Sequence, residues 1–151
     1  MGRRLHDPAV LAETVARIEL VTFDSRARWG SMNASEMLCH LRDALEVALR
    51  ERTGTGETVR GRRIVRLLAL SPIPFPRGVQ APPEVDPGRD GSSPEEFAAD
   101  RESLLATLKR YAAEPLDGPP FDHPILGPFT PAQWSFFQWK HCHHHLRQFG
   151  V

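Results

Sequence analysis

Five of the seven histidines fall in two short segments of the chain, where their spacing could build a metal site. His40 stands alone in one segment, and the other holds His141, His143, His144 and His145. In a helix, His141 and His145 lie one turn apart on the same face, whereas His143 falls on the opposite face and should be solvated. Two imidazoles from one helix and a third from a facing helix suit a divalent metal with at least one open coordination position.

His40 is the candidate for the third ligand, because it lies at the edge of an apolar stripe formed by Met37, Leu41, Ala44 and Ala48. Glu36 and Asp43 lie on its other flank. Either carboxylate could accept the remaining N–H of a ligand histidine, or act as a general base. His144, which flanks the pair on the other helix, is a further catalytic candidate. Imidazole nitrogen suits zinc, nickel, copper and iron(II) about equally, so the spacing does not select the metal.

Other interpretations of these residues stay open on spacing alone. A lone buried histidine is usually a hydrogen-bonded core residue, and histidines near the end of a helix interact favourably with its dipole. Cys39 and Cys142 adjoin proposed ligands, but successive helical residues diverge by 100°, which favours packing over a thiolate ligand or a redox-sensitive role.

Helix start signals predict which elements carry these side chains. The predicted N-caps are Asp7 before Pro8, Asn33 or Ser31, Ser93 in a capping box with Glu96, and Thr130 in a capping box with Gln133. The second helix should run to about Arg50, before the Thr53–Gly56 segment, and the last should reach about Gln148. A short helix is predicted over Arg62 to Leu70.

Two proline-rich segments separate these helices. Residues 71–94 hold seven of the fourteen prolines, which excludes regular helix there, and residues 115–128 form a second loop of this kind. No segment has the pattern of a strand. The sequence therefore predicts an all-α fold, a four-helix bundle with long proline-rich loops. Whether the first loop covers a pocket stays open.

Composition limits the class of protein. A chain of 151 residues fits one domain, and we expect residues 1–151 to form it. The 19 basic and 19 acidic residues cancel, which argues against nucleic acid as a partner. No apolar run could span a membrane, and two free cysteines suit a reducing compartment, so we expect a cytoplasmic protein without membrane contact.

Two blocks of sequence resemble the DinB-like superfamily, and within it a branch of short, uncharacterised bacterial proteins. The first block runs from Trp29 to Leu41 and reads WGSMNASEMLCHL. The second begins with HPILG at His123, passes through Trp134 and ends with KHCHHHLRQFG at Gly150. The resemblance implies a four-helix bundle that holds one divalent metal, commonly zinc or nickel, through His40, His141 and His145.

The resemblance also implies candidate activities. Some relatives transfer low-molecular-weight thiols to electrophiles, so an enzyme acting on a small molecule is the first hypothesis, as a thiol S-transferase or a metal hydrolase. The second is a non-catalytic helical bundle, with or without metal, that acts as a binding or stress-linked module. Relatives often pair through helices, so a homodimer is an expectation.

Overall fold

A computed structural model describes residues 2–54, 56 and 60–151, and this part of the chain is mostly helical. Its α-helices are α1 (Pro8–Leu20), α2 (Ala34–Ala48), α3 (Arg62–Ala69), α4 (Phe97–Ala112) and α5 (Pro131–Gln148), and Pro83–Val85 forms a short 3-10 helix. Helices α1 and α2 each pack against both α4 and α5. The core between them is built from fully buried side chains, among them Ile18, Leu38, Leu45, Leu104 and Leu146. None of the described helices has the length and apolar content needed to cross a bilayer.

Three of the predicted helix starts are confirmed by their capping bonds. The Asp7 carboxylate accepts the backbone N–H of Ala9. Asn33 and Glu36 form a reciprocal capping box at the start of α2, and Thr130 and Gln133 form another at the start of α5. In each case a side-chain oxygen accepts a free backbone N–H group in the first turn. These bonds fix the residues at which α2 and α5, the two helices that carry the histidines, begin.

The predicted start of α4 at Ser93 is wrong. Helix α4 begins at Phe97, and its N-cap is Glu96, whose carboxylate accepts the N–H of Ala99. The side chain of Asp100 accepts the N–H of Glu95, which holds the residues before the helix in an extended approach. The predicted end of α2 near Arg50 agrees with its last residue, Ala48, although Thr55 of the following segment lies outside the described residues.

The prediction that the chain contains no strand is also wrong. Residues Phe121–His123 (β1) and Gly127–Phe129 (β2) pair as a two-stranded antiparallel sheet at the end of the second proline-rich loop. Each strand has three residues, too few to produce a recognisable alternation. Gly127 takes a φ of +79° at the start of β2, a conformation that glycine adopts without strain.

His123 closes the turn between these strands. Its Nδ1 accepts the N–H groups of Ile125 and Leu126, and its ring stacks on Trp134 with centroids 5.1 Å apart. Burial lowers the pKa of His123 from 6.5 to about 4. As the pH falls, His123 is therefore protonated at a higher pH in the unfolded chain than in the folded chain.

We expect stability to be greatest above pH 6.5 and to fall between pH 6.5 and 4, with His123 contributing a loss of about 3 kcal/mol across that window. Replacing His123 with Asn should flatten the dependence of Tm on pH, whatever its effect on the absolute Tm. Thermal melts of both proteins across the window measure this. A variant that keeps the wild-type slope would contradict the assignment, because the other buried histidines are unchanged in it.

The predicted short helix is confirmed as α3, but its apolar face points to solvent. Ile64, Val65, Leu67 and Leu68 are 42 to 69% exposed, and Ala69 is the buried residue of the helix. The C-terminal end of α3 is held by the Lys140 amine on α5, which donates to the carbonyl oxygens of Leu68, Ala69 and Ser71. Lys140 thereby fixes the start of the proline-rich loop to α5.

Candidate metal centre

The rings of His40, His141 and His145 converge between α2 and α5. Nε2 of His141 lies 2.9 Å from Nε2 of His40 and 3.2 Å from Nε2 of His145. All three ligand nitrogens lie within 4.8 Å of one another, a grouping that could hold a metal ion. Nitrogens bound to one tetrahedral zinc at ~2.0–2.1 Å are separated by roughly 3.4 Å, so small shifts would let these three share an ion.

Hydrogen bonds on the far side of two rings determine where their protons lie. Nδ1–H of His40 donates to the carbonyl oxygen of Val85 at 2.6 Å, and Nδ1–H of His145 donates to Oε1 of Gln148 at 2.7 Å. The Gln148 amide is oriented in turn, because its nitrogen donates to the carbonyl oxygen of Trp29. With Nδ1 protonated, both neutral rings direct the lone pair of Nε2 toward His141.

This set of donor atoms fits a cation. Burial lowers the pKa of His40, and lowers those of His141 and His145 well below the usual value, so the rings are neutral at pH 7. If Nε2 of His141 carries a proton, it can donate to Nε2 of His40 or to Nε2 of His145. The lone pair of the ring that receives no proton is then left without a partner. One divalent ion would satisfy all three nitrogens. Nδ1 of His141 is buried with no partner among the described residues, so packing against Phe137 orients this ring.

Glu36 and Asp43 are bonded elsewhere. The Glu36 carboxylate accepts the backbone N–H of Asn33 in the capping box. Asp43 is fully buried and accepts from the Arg52 guanidinium and from both the N–H and the hydroxyl of Ser92. The outer acceptors of the ligand rings are therefore Val85 and Gln148.

Asp43 instead ties α2 to the proline-rich loop. Arg52, which donates to Asp43, also donates to the Glu84 carbonyl oxygen, one residue before the Val85 carbonyl that orients His40. Ser92 at the other end of the loop is bonded to the same carboxylate. The buried carboxylate therefore holds the segment that positions a candidate ligand.

The remaining histidines of α5 lie outside the triad. Nδ1 of His143 accepts from Arg17, and its ring stacks on Trp139, so the prediction that His143 is simply solvated is wrong. His144 is half-buried and packs edge-on against both His145 and Trp29, with ring centroids 5.0 and 5.7 Å apart. It therefore lies beside the triad without joining it.

Cys39 and Cys142 are buried free thiols. Burial raises the pKa of each to about 12, which keeps the thiol protonated. Neither belongs to the group of residues that could hold a metal. Their burial and protonation therefore favour the packing role over the thiolate alternative.

A cavity of about 440 Å³ lies beside the triad, which does not line it. Phe75 and His144 stand between the two: both line the cavity, and the Phe75 ring lies 6.5 Å from that of His141. Phe75 and its neighbours Pro72, Pro74 and Arg77 belong to the first proline-rich loop, so this loop forms part of the wall of the cavity. The arginines of α3 do not line it.

Three residues that contact the triad are not predicted from the sequence. Val85 acts through a backbone carbonyl, which leaves no side-chain signal. Phe75 lies in an irregular loop, where periodicity gives no direction. The bond from His145 to Gln148 could have been predicted, because Gln148 lies three residues after His145 on the same helix face.

A family model described as the DinB superfamily matches residues 7–149, nearly the whole chain. No curated protein and no solved structure matches the chain significantly.

Proposed function

The chain belongs to the DinB superfamily, and from this premise we propose that it holds one divalent metal, zinc or nickel, with His40, His141 and His145. The observation that carries the proposal is the convergence of three Nε2 atoms, two of which have lone pairs directed inward by bonds from Nδ1 to Val85 and Gln148. We further propose that α1, α2, α4 and α5, which pack on one another, form the four-helix bundle of this superfamily.

We propose that the protein is a metal-dependent enzyme acting on a small molecule, as a thiol S-transferase or a hydrolase. A divalent ion held by three imidazoles supplies Lewis acidity, which lowers the pKa of a thiol or of water. The chain's own residues supply the surroundings. Val85 and Gln148 orient the ligand rings, and Phe75 shields His141 from the cavity. His144, which contacts both the cavity and His145, is placed to exchange a proton with a substrate.

A non-catalytic, metal-stabilised bundle is the second candidate. It is favoured by the burial of His40 and His145, which are 3% and 7% exposed, and by the absence of the triad from the lining of the cavity. A protein whose metal is structural should unfold when the metal is removed, whereas a protein whose metal is catalytic should lose activity before it unfolds.

The enzyme proposal predicts a rate that depends on metal. Metal-loaded protein should accelerate the reaction of N-acetylcysteine with 1-chloro-2,4-dinitrobenzene, or the hydrolysis of p-nitrophenyl acetate, by about tenfold or more over metal-free protein. Absorbance assays measure both reactions, and circular dichroism of the metal-free sample reports whether it stays folded. Asp24→Ala, an exposed change outside the lining of the cavity, serves as the matched active control. Equal rates with and without metal, in a folded protein, would count against catalysis of either reaction.

A further inference from the structure

The cavity beside the triad has a lining of aromatic rings and cationic side chains. Trp29 and Phe75 contribute on one side, and Phe136 and Trp139 of α5 contribute as well. Arg77 and Arg147 also line it, and no aspartate or glutamate does. A cavity of about 440 Å³ with these walls has the size of a small-molecule site.

Two of its arginines carry charge that no carboxylate neutralises within the described part of the chain. Arg3, also in the lining, is paired with Glu13, and the Lys140 amine is used by three carbonyl oxygens. Arg77 and Arg147 take part in none of the ion pairs among the described residues. The Arg77 guanidinium instead lies over the Trp29 ring, 4.2 Å from its centroid.

The same two arginines border a second recess. This adjoining space of about 250 Å³ is lined by Arg28, Trp29, Arg77 and Arg147 together with Gly150 and Val151, whose carbonyl oxygen already accepts from Arg17. Guanidinium groups are planar donors that match the oxygens of carboxylate and phosphate groups, often with two parallel bonds. The junction of the two spaces therefore has the chemistry of an anion site, and the larger space has that of an aromatic or apolar site.

We propose that this cavity binds an aromatic organic anion. The carboxylate or phosphate group of the ligand is bound by Arg77 and Arg147, and its flat apolar body lies against Trp29, Phe75 and Trp139. This arrangement leaves the far end of the ligand at Phe75 and His144, one layer of side chains from the triad. Its identity as the substrate of the metal centre rests on the function proposed above, whereas the binding itself does not.

Binding of 1-naphthoate and 1-naphthyl phosphate tests the proposal, with the uncharged 1-naphthalenemethanol for comparison. Titration calorimetry on the protein as purified should show binding of at least one anion and at least about tenfold weaker binding of the alcohol. Which anion binds more tightly distinguishes a carboxylate ligand from a phosphate ligand. Equal affinity for the alcohol and both anions, or binding of none of the three, would overturn the proposal.

Variants separate the arginines from the metal. The R77Q/R147Q double variant should bind the anion at least about tenfold more weakly, whereas R63Q, an exposed arginine of α3 outside the cavity, should bind it normally. His141→Ala should retain anion affinity even if it loses metal. An anion that binds R77Q/R147Q normally but fails to bind His141→Ala would be a metal ligand, and the inference would fall while the metal proposal stood. If the anion binds through the arginines in a protein that never holds metal, the metal proposal would fall and the inference of an anion site would stand.

Discussion

Replacing His40, His141 or His145 with alanine will abolish metal retention. Protein purified with zinc or nickel present should carry close to one ion per chain, and each variant should carry less than about a tenth of that. Each variant keeps only two of the imidazoles, which do not form a three-nitrogen site. It also loses at least one of the close contacts between Nε2 atoms. Elemental analysis of the purified proteins measures the outcome.

His143→Ala is the matched control for this series. His143 lies on the same helix within two residues of both α5 ligands, yet its ring is bonded to Arg17 and stacked on Trp139. It should keep the full metal content. Equal loss in His143→Ala would mean that the ions bind a diffuse cluster of histidines rather than the triad.

Replacing Asp43 with alanine should lower the free energy of unfolding by about 3 kcal/mol. Its carboxylate is fully buried and accepts from the Arg52 guanidinium and from two groups of Ser92. Removing one member of a buried, hydrogen-bonded ion pair leaves the others desolvated without partners. The same change frees the segment around Glu84 that positions Val85, so metal affinity should fall as well.

Chemical denaturation of Asp43→Ala, compared with Asp24→Ala, measures this effect. Asp24 is exposed and should be replaceable with a change within about 0.5 kcal/mol. The Asp43→Asn variant addresses the general-base hypothesis for Asp43, because it keeps the size of the side chain. A variant that unfolds and binds metal like the wild type but loses reactivity would favour the catalytic role over the structural one.

Much of the architecture could be predicted because it depends on local chemistry. Asn33 and Thr130 are each followed three residues later by Glu or Gln, a pattern that specifies the first turn of a helix directly. The spacing of His141 and His145 likewise follows from helical geometry. The apolar stripe beside His40 makes it the candidate for the third ligand, but that its helix faces the last one is implied by the resemblance to a family, since periodicity gives no information about which helices face each other.

The remainder depends on contacts between distant segments. Glu36 is a catalytic candidate by its position next to His40, yet the same capping pattern that starts α2 uses its carboxylate. Val85 and Phe75 lie in a loop whose course follows from the buried Asp43 and from Lys140, and neither constraint is visible in the local sequence. The strands β1 and β2 likewise lie against a distant segment, since His123 of β1 stacks on Trp134 of α5.

The two facing rings of the triad belong to residues 101 positions apart in the chain. An ion shared by them would close a loop comprising two thirds of the polypeptide and would act as a reversible cross-link. Such a link restricts the unfolded ensemble most when the enclosed loop is long. The supply of metal would then raise the resistance of the protein to proteolysis, because the unfolded form that a protease cleaves would become rarer.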